Sequence, residues 1–260
     1  MKIIVLDFDE TLGHFKQLSI IWQSLQFYTE HIMEDNNLLN QRFFNELLDL
    51  LPYYLRPDIL DILSYIKNKK KQKKCNYVMI YTNNTGARIW VNYLISYFES
   101  KLKYKLIDRV IAAFKIKGNI IEVGRTTNEK TINDLIKCTK LPKNTQICYI
   151  DDMLYPEMIN DNVYYINIKP YYYDYSFDYI LDKIYNYNET YKQPHFKNNM
   201  KKILDKFNYK VCLKQTIDYE IDIIISKEIL NQLNIFFKEN INKTRKRNVN
   251  NNNKTKRLSN

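Results

Sequence analysis

The sequence predicts an α/β fold of three layers around a parallel central sheet, and three observations carry that expectation. Short β-branched or apolar runs alternate with longer helical patterns, which is the signature of βαβ units. Two of those runs end in a pair of acidic residues, at the place where an open parallel sheet gathers its ligands. With 260 residues and 45% apolar composition, the chain can build one sizeable core, with or without an appendage.

Taken in order, the expected strands are Lys2 to Leu6, Tyr77 to Tyr81, Gln146 to Ile150 and Val163 to Ile168. Between the first two, Leu18 to Leu51 contains no Pro or Gly. Trp22, Leu25, Ile32, Phe43, Leu47 and Leu50 recur there at helical spacing, so two helices are expected as an insert over about 18–52. Pro57 then opens a helix with Ile59, Leu60, Leu63 and Ile66 on its apolar face. Lys117-Gly118-Asn119 sits between two apolar stretches of Val110 to Val123 and predicts a β-hairpin, after which helix resumes near Asn128. The Tyr-rich run from Tyr164 to Tyr179 is read as packing. Beyond Pro194, Ile229, Leu230, Leu233, Phe236 and Phe237 form one helical apolar face that docks on the body. The expected division is a catalytic unit over 1–190, a helical appendage over 191–240 and a basic Asn-rich tail over 241–260, read as disordered.

The formal charge of +11 is unevenly placed. Seven Lys or Arg residues and no acidic ones lie between Asn240 and Asn260, leaving +4 on the other 239 residues. A tail of this kind offers nucleic acid or another polyanion a contact, or simply keeps the chain solvated. Six lysines between Lys67 and Lys74 read as a solvated loop before a strand. Cys75, Cys138, Cys148 and Cys212 stand far apart, without the spacing of a zinc site or a disulfide framework, which fits a reducing intracellular compartment. The apolar run before Asp7 is too short for a secretory signal, and no stretch approaches membrane-spanning length. An intracellular protein without a membrane partner is expected.

Four segments carry the chemistry. Asp7-Phe8-Asp9-Glu10-Thr11 follows the first strand, and two carboxylates at this spacing can share a site. One can bind a hard cation and attack phosphorus; the other can give a proton to a leaving group and later activate water. Thr82-Asn83-Asn84-Thr85-Gly86 follows the second strand, where a hydroxyl and backbone N–H groups suit phosphoryl oxygens. Lys130, at the apparent start of a helix, supplies a fixed positive charge for the nucleophile and the phosphoryl group, with Lys137 and Lys140 as competing choices. Asp151-Asp152 ends a further strand, and magnesium needs only two or three such carboxylates beside its waters. Turn and helix capping accounts for any one of these segments. It accounts poorly for all four in this order.

The order DFDETL, YTNNTG, NEKTI, YIDDM resembles the four motifs of the haloacid dehalogenase (HAD) superfamily. The Glu10-Thr11-Leu12 run, Leu55-Arg56-Pro57 and the double Asp resemble, within it, the FCP/SCP phosphatases that act on the carboxy-terminal domain of RNA polymerase II. The resemblance covers about 1–187. It implies a three-layer Rossmann-like HAD fold with Asp7 as the phosphorylated nucleophile and Asp9 as general acid and base. It also implies Thr82 and Asn83 on the phosphoryl oxygens, Lys130 on both Asp7 and the phosphoryl group, and Mg2+ held by Asp7, the Asp9 carbonyl and Asp152. Asp151 becomes a further ligand or the support of one, and Thr11 supports the loop. The chain departs from that family in carrying more helix between Thr11 and Thr82 and a longer step from the lysine to Asp151. The Lys, Asn, Ile and Tyr bias fits an AT-rich genome, and the motif style resembles phosphatase-like proteins of large DNA viruses.

The expected activity is therefore Mg2+-dependent hydrolysis of a phosphate monoester, with a phosphoserine or phosphothreonine protein as substrate. A nucleic-acid-end or nucleotide phosphatase is the alternative in the same chemistry. A non-catalytic binding protein on the same fold is the alternative of another class.

Overall fold

A computed structural model describes residues 1–35, 38–86 and 88–238, so the basic segment 241–260 lies outside the described residues. Strand β1 (Lys2–Leu6) leads, and its Ile3, Ile4 and Val5 are wholly buried, as a strand covered on both faces requires. Helices α1 (Lys16–His31) and α2 (Gln41–Leu50) follow, where the helical insert is expected. The side chain of Asn40 caps α2 by accepting the Phe43 N–H at 3.1 Å. Helix α3 (Ile59–Lys71) begins two residues after Pro57 and turns Ile59, Ile62, Leu63 and Ile66 inward; strand β2 (Tyr77–Tyr81) and helix α4 (Arg88–Leu102) follow.

The next segment differs from the single hairpin expected over Val110 to Val123. Strand β3 (Arg109–Ile111) joins the main sheet, pairing in parallel with Met79 to Tyr81. The hairpin shrinks to β4 (Lys115–Ile116) and β5 (Asn119–Ile120), turned by Lys117 and Gly118, both with positive φ. The turn chemistry is local and visible in the sequence. The demand of β2 for a partner along its other edge is tertiary, and it takes the residues before the turn.

Helix α5 (Ile132–Thr139) also starts later than expected, because Thr131 is its N-cap and accepts the Asp134 N–H at 3.0 Å. Lys130 thus precedes the helix rather than opening it. Strands β6 (Gln146–Asp151) and β7 (Val163–Asn167) lie within a residue of expectation. Helices α6 (Phe177–Tyr187), α7 (Phe196–Asp205) and α8 (Thr216–Lys238) close the described chain.

The five main strands are parallel in the order β3-β2-β1-β6-β7. Alternation along β1 separates two cores: Ile4 and Leu6 face the larger helical layer, while Ile3 and Val5 meet Met79, Tyr149 and the α5 residues Leu135 and Cys138. This is a three-layer, Rossmann-like arrangement with a helical C-terminal part. Ile229, Leu233 and Phe236 of α8 and Met200 of α7 belong to the same apolar cluster as Trp22 and Leu63. α7 packs on the inserted α1, and α8 packs on α3 and β7. The Tyr-rich segment packs as well: the Tyr173 ring lies 4.9 Å from Tyr53 and 5.0 Å from Tyr175. Among the described residues, no helix is long and apolar enough to cross a membrane.

Candidate active site

The direction of the chain across the sheet reverses between β1 and β6, and the carboxyl ends of the strands on both sides of that point carry the polar residues singled out above. Asp7 follows β1 directly and ties to its neighbour strand by donating its N–H to the Ile150 carbonyl at 2.8 Å. Thr82 follows β2, Asp151 is the last residue of β6, and Asp152 comes next. One oxygen from each of Asp7, Asp151 and Asp152 lies within 4.8 Å of the other two.

The loop after Asp7 is held by its own backbone and by a buried arginine. Glu10 takes a left-handed conformation (φ 56°), and its N–H donates to the Gly13 carbonyl at 2.8 Å. A Cβ at Gly13 would collide with the Tyr54 carbonyl oxygen, so the close approach requires glycine. Arg56, 1% exposed, donates from Nε to the Thr11 carbonyl at 2.7 Å and from one terminal nitrogen to the Glu10 and Lys169 carbonyls at 2.7 and 2.9 Å. Burial lowers its pKa to about 10, which leaves it charged. Thr11, clasped in this way, donates its hydroxyl to Asp152 Oδ1 at 2.9 Å and accepts the Asp152 N–H at 3.2 Å. The two acidic strand ends are thus fixed to each other.

Lys130 stands between them. Its ammonium donates to Asp7 Oδ1 and, at 2.7 Å, to Asp151 Oδ2. The side chain is 2% exposed, and the Tyr155 ring lies 5.2 Å away. Burial works against its charge, yet Asp7 and Asp151 together hold its pKa above the usual lysine value. Asp151 is fully buried and fully engaged: Tyr149 and Lys130 donate to Oδ2, and the Met153 N–H donates to Oδ1 at 2.8 Å. Lys137 and Lys140, the competing lysines, are exposed; Lys140 terminates α5 at φ 55°, and Lys137 lines a separate depression with Lys143.

On the opposite wall, Asn84 donates its amide to Asp9 Oδ2 at 2.7 Å, and its N–H donates to Thr82 Oγ1 at 3.0 Å. Burial pushes the Asp9 carboxyl up to about 6, against the lowering effect of the Asn84 hydrogen bond. Burial raises Asp7 too, with Lys130 pulling down and Asp151 pushing up. Asn83 is spent on its neighbours: its carbonyl oxygen accepts from Arg125 at 2.7 Å and its amide donates to the Tyr155 hydroxyl at 3.2 Å. Arg125, 2% exposed, also donates to the carbonyls of Thr82, Ala112, Asn128 and Glu129, and so ties the Thr82 loop to the residues preceding Lys130.

Asp7, Asp9, Thr82, Lys130 and Asp152 open together onto a cleft of about 630 Å³, whose outer wall is the inserted α1. Asp151 does not line it. The oxygens of Asp7 and Asp152 offer hard ligands, and the three grouped carboxylates face a single lysine. These hard oxygen donors could hold a divalent cation.

Sequence reasoning passed over Asn84 as a partner of Asp9, and over Arg125 altogether. Asn84 had a signal, since it lies in the same polar run as Thr82. Arg125 had none: its partners range from three to forty-three residues away and share no local pattern. No family model, no curated protein and no solved structure matches this chain.

Proposed function

We propose that this chain is a Mg2+-dependent phosphate monoester hydrolase that works through an aspartyl-phosphate on Asp7, as its motifs' resemblance to the HAD superfamily implies. The observation that carries the reading is the buried Lys130 bridging Asp7 and Asp151, with Asp9 and Asp152 facing the same cleft.

In this mechanism an Asp7 carboxylate oxygen attacks phosphorus, and the bond from phosphorus to the leaving oxygen breaks. Asp9 gives that oxygen its proton; a carboxyl lifted to about 6 by burial is suited to hold one near neutral pH. Water then attacks the same phosphorus and Asp9 takes its proton. The bond to Asp7 breaks, and phosphate leaves. Lys130 stays on Asp7 through both steps and offsets negative charge as it passes to the phosphoryl oxygens. Thr82, whose oxygen already accepts from Asn84, has its own O–H left to donate to a phosphoryl oxygen, and the contribution of Asn83 falls to its main chain. Asp7, Asp152 and the Asp9 carbonyl would hold Mg2+, with Asp151 as their support through Lys130. Bound there, the ion would polarise the phosphoryl group and offset the carboxylates.

The substrate we propose is a phosphoserine or phosphothreonine protein. The charge of the cleft supports this over a nucleic-acid end: among the described residues, the basic side chains along its wall are Lys130 and Lys16, against Asp7, Asp9, Glu10 and Asp152. Release of phosphate from p-nitrophenyl phosphate, with and without Mg2+, tests the chemistry. Metal-dependent turnover that disappears in Asp7→Asn agrees with it, and turnover retained in that variant rejects it.

A further inference from the structure

The cleft does not end at the catalytic residues. A second cavity of about 290 Å³ continues from it, sharing Ser19, Gln23, Gly86 and Trp90 with the first. Together they make a groove between α1 and the beginning of α4.

Its two walls differ in kind. On α1, Ser19, Gln23 and Gln26 fall at i, i+4 and i+7, one helical face, with the Gln23 amide donating to the Ser19 hydroxyl at 2.9 Å. Amides and hydroxyls in a row can meet the N–H and C=O groups of an extended chain without adding charge. On α4 the wall is Ile89, Trp90 and Tyr93. Behind it the aromatic rings are locked: Trp22 and Tyr93 lie 5.1 Å apart, Phe44 and Tyr93 5.1 Å, and Phe44 and Trp90 5.5 Å. The groove is thus rigid at its base, while Ile89 remains 61% exposed at its rim. Among the described residues, no Lys, Arg, Asp or Glu lines this second cavity.

We infer that the α1–α4 groove receives the peptide beside the phosphorylated residue, and that it selects an uncharged, apolar or aromatic side chain there. The inference rests on the phosphatase reading above and adds to it the substrate's flanking chemistry. The cleft places the phosphoryl group over Asp7, and the groove is the direct continuation of that cleft. Among the described residues lining the second cavity, a polyanion finds no cation and a charged side chain finds no partner. An apolar one meets Trp90 and Ile89, and the main chain that carries it meets the polar row on α1. The inserted helix, unexplained by the chemistry alone, acquires a function as one wall of the substrate track.

Binding tests this without turnover. The Asp7→Asn protein over all 260 residues, with Mg2+, is titrated against fluorescein-labelled phosphoserine peptides that carry Phe or Glu at each of the three positions on either side, read by anisotropy. At one or two of those positions the Phe peptide binds tighter than its Glu counterpart by about tenfold, the scale of one buried apolar anchor. Adding Ile89→Arg, a rim substitution with little to disturb in the fold, reverses that preference. Gln23→Ala, also at an exposed position, weakens both peptides. Equal binding of all peptides, an Ile89→Arg variant with unchanged preference, or tighter binding of a 5′-phosphorylated oligonucleotide than of any peptide overturns the inference. Turnover of p-nitrophenyl phosphate by the chain with native Asp7 is measured in parallel. Its absence removes the phosphatase reading, whereas indiscriminate peptide binding removes the groove and leaves the chemistry standing.

Discussion

Lys130 Nζ lies 2.7 Å from Asp151 Oδ2 while donating to Asp7 on its other side, so one buried cation joins the ends of β6 and β1. Its removal leaves two buried carboxylates facing each other. Lys130→Met is predicted to destabilise the metal-free protein by about 3–5 kcal/mol, the cost of breaking a buried ion pair from one side. Urea denaturation in EDTA measures it; a loss under about 1 kcal/mol would show that the charge is not held as described.

The same burial gives the protein an unusual response to pH. Asp9 is raised to about 6 and Asp152 is raised as well, both chiefly by burial. A carboxyl with a raised folded-state pKa holds its proton more firmly in the folded chain, so stability falls as pH rises from about 4 through the folded value. His14 adds to the trend: burial opposes its charge, but Asp174 and Glu10 outweigh burial and lift it to about 9, so its contribution is lost as pH passes that value. The metal-free protein is therefore predicted to melt at a higher temperature at pH 5.5 than at pH 8. Mg2+, which favours ionised carboxylates, should raise the melting temperature more at pH 8 than at pH 5.5. Equal increments at the two pH values would contradict the charge arrangement of the site.

Asn84 reaches across from the end of β2 to Asp9 and favours its ionised form. Asn84→Ala should move the alkaline limb of the kcat/KM profile, where Asp9 loses the proton it donates, to higher pH. It should also lower kcat by about tenfold, less than the roughly hundredfold or more that a positioned acid contributes, because Asp9 itself remains. An unmoved limb would show that Asp9 is not the titrating acid.

Arg56 spends three hydrogen bonds on the carbonyls of Glu10, Thr11 and Lys169. Arg56→Lys keeps the charge but cannot reach all three, and each buried carbonyl left unpaired costs about 1–3 kcal/mol. A loss of several kcal/mol is expected in denaturant titrations, together with weaker Mg2+ binding, because Thr11 then no longer fixes Asp152.

The parts of this arrangement that were legible in the sequence are those written locally. Asp7, Thr82 and the Asp151-Asp152 pair each come at the point where an apolar run stops abruptly, and a strand of five or six residues leaves little room for another register. The apolar face of α8, with Ile229, Leu233 and Phe236, was equally readable from its spacing. Lys130 was harder, because lysine is abundant in this chain, and only its position before Thr131 distinguishes it from Lys137 and Lys140. β3 was hidden because its three residues sit beside a strong turn signal, and it is the open edge of β2 that recruits them. The bond of Asn84 to Asp9, those of Arg125 to the Thr82 and Ala112 carbonyls and those of Arg56 to the Glu10 and Thr11 carbonyls join positions that only the assembled sheet brings near, so these contacts belong to tertiary structure.

The central claim is a covalent bond between Asp7 and phosphorus. Wild-type protein is mixed with p-nitrophenyl phosphate and Mg2+, quenched within the steady state and treated with borohydride, which reduces an aspartyl-phosphate to homoserine; tandem mass spectrometry then locates the product. Homoserine at position 7, dependent on substrate and on Mg2+, is the predicted result. Turnover without homoserine there, or with homoserine at another aspartate, would contradict it.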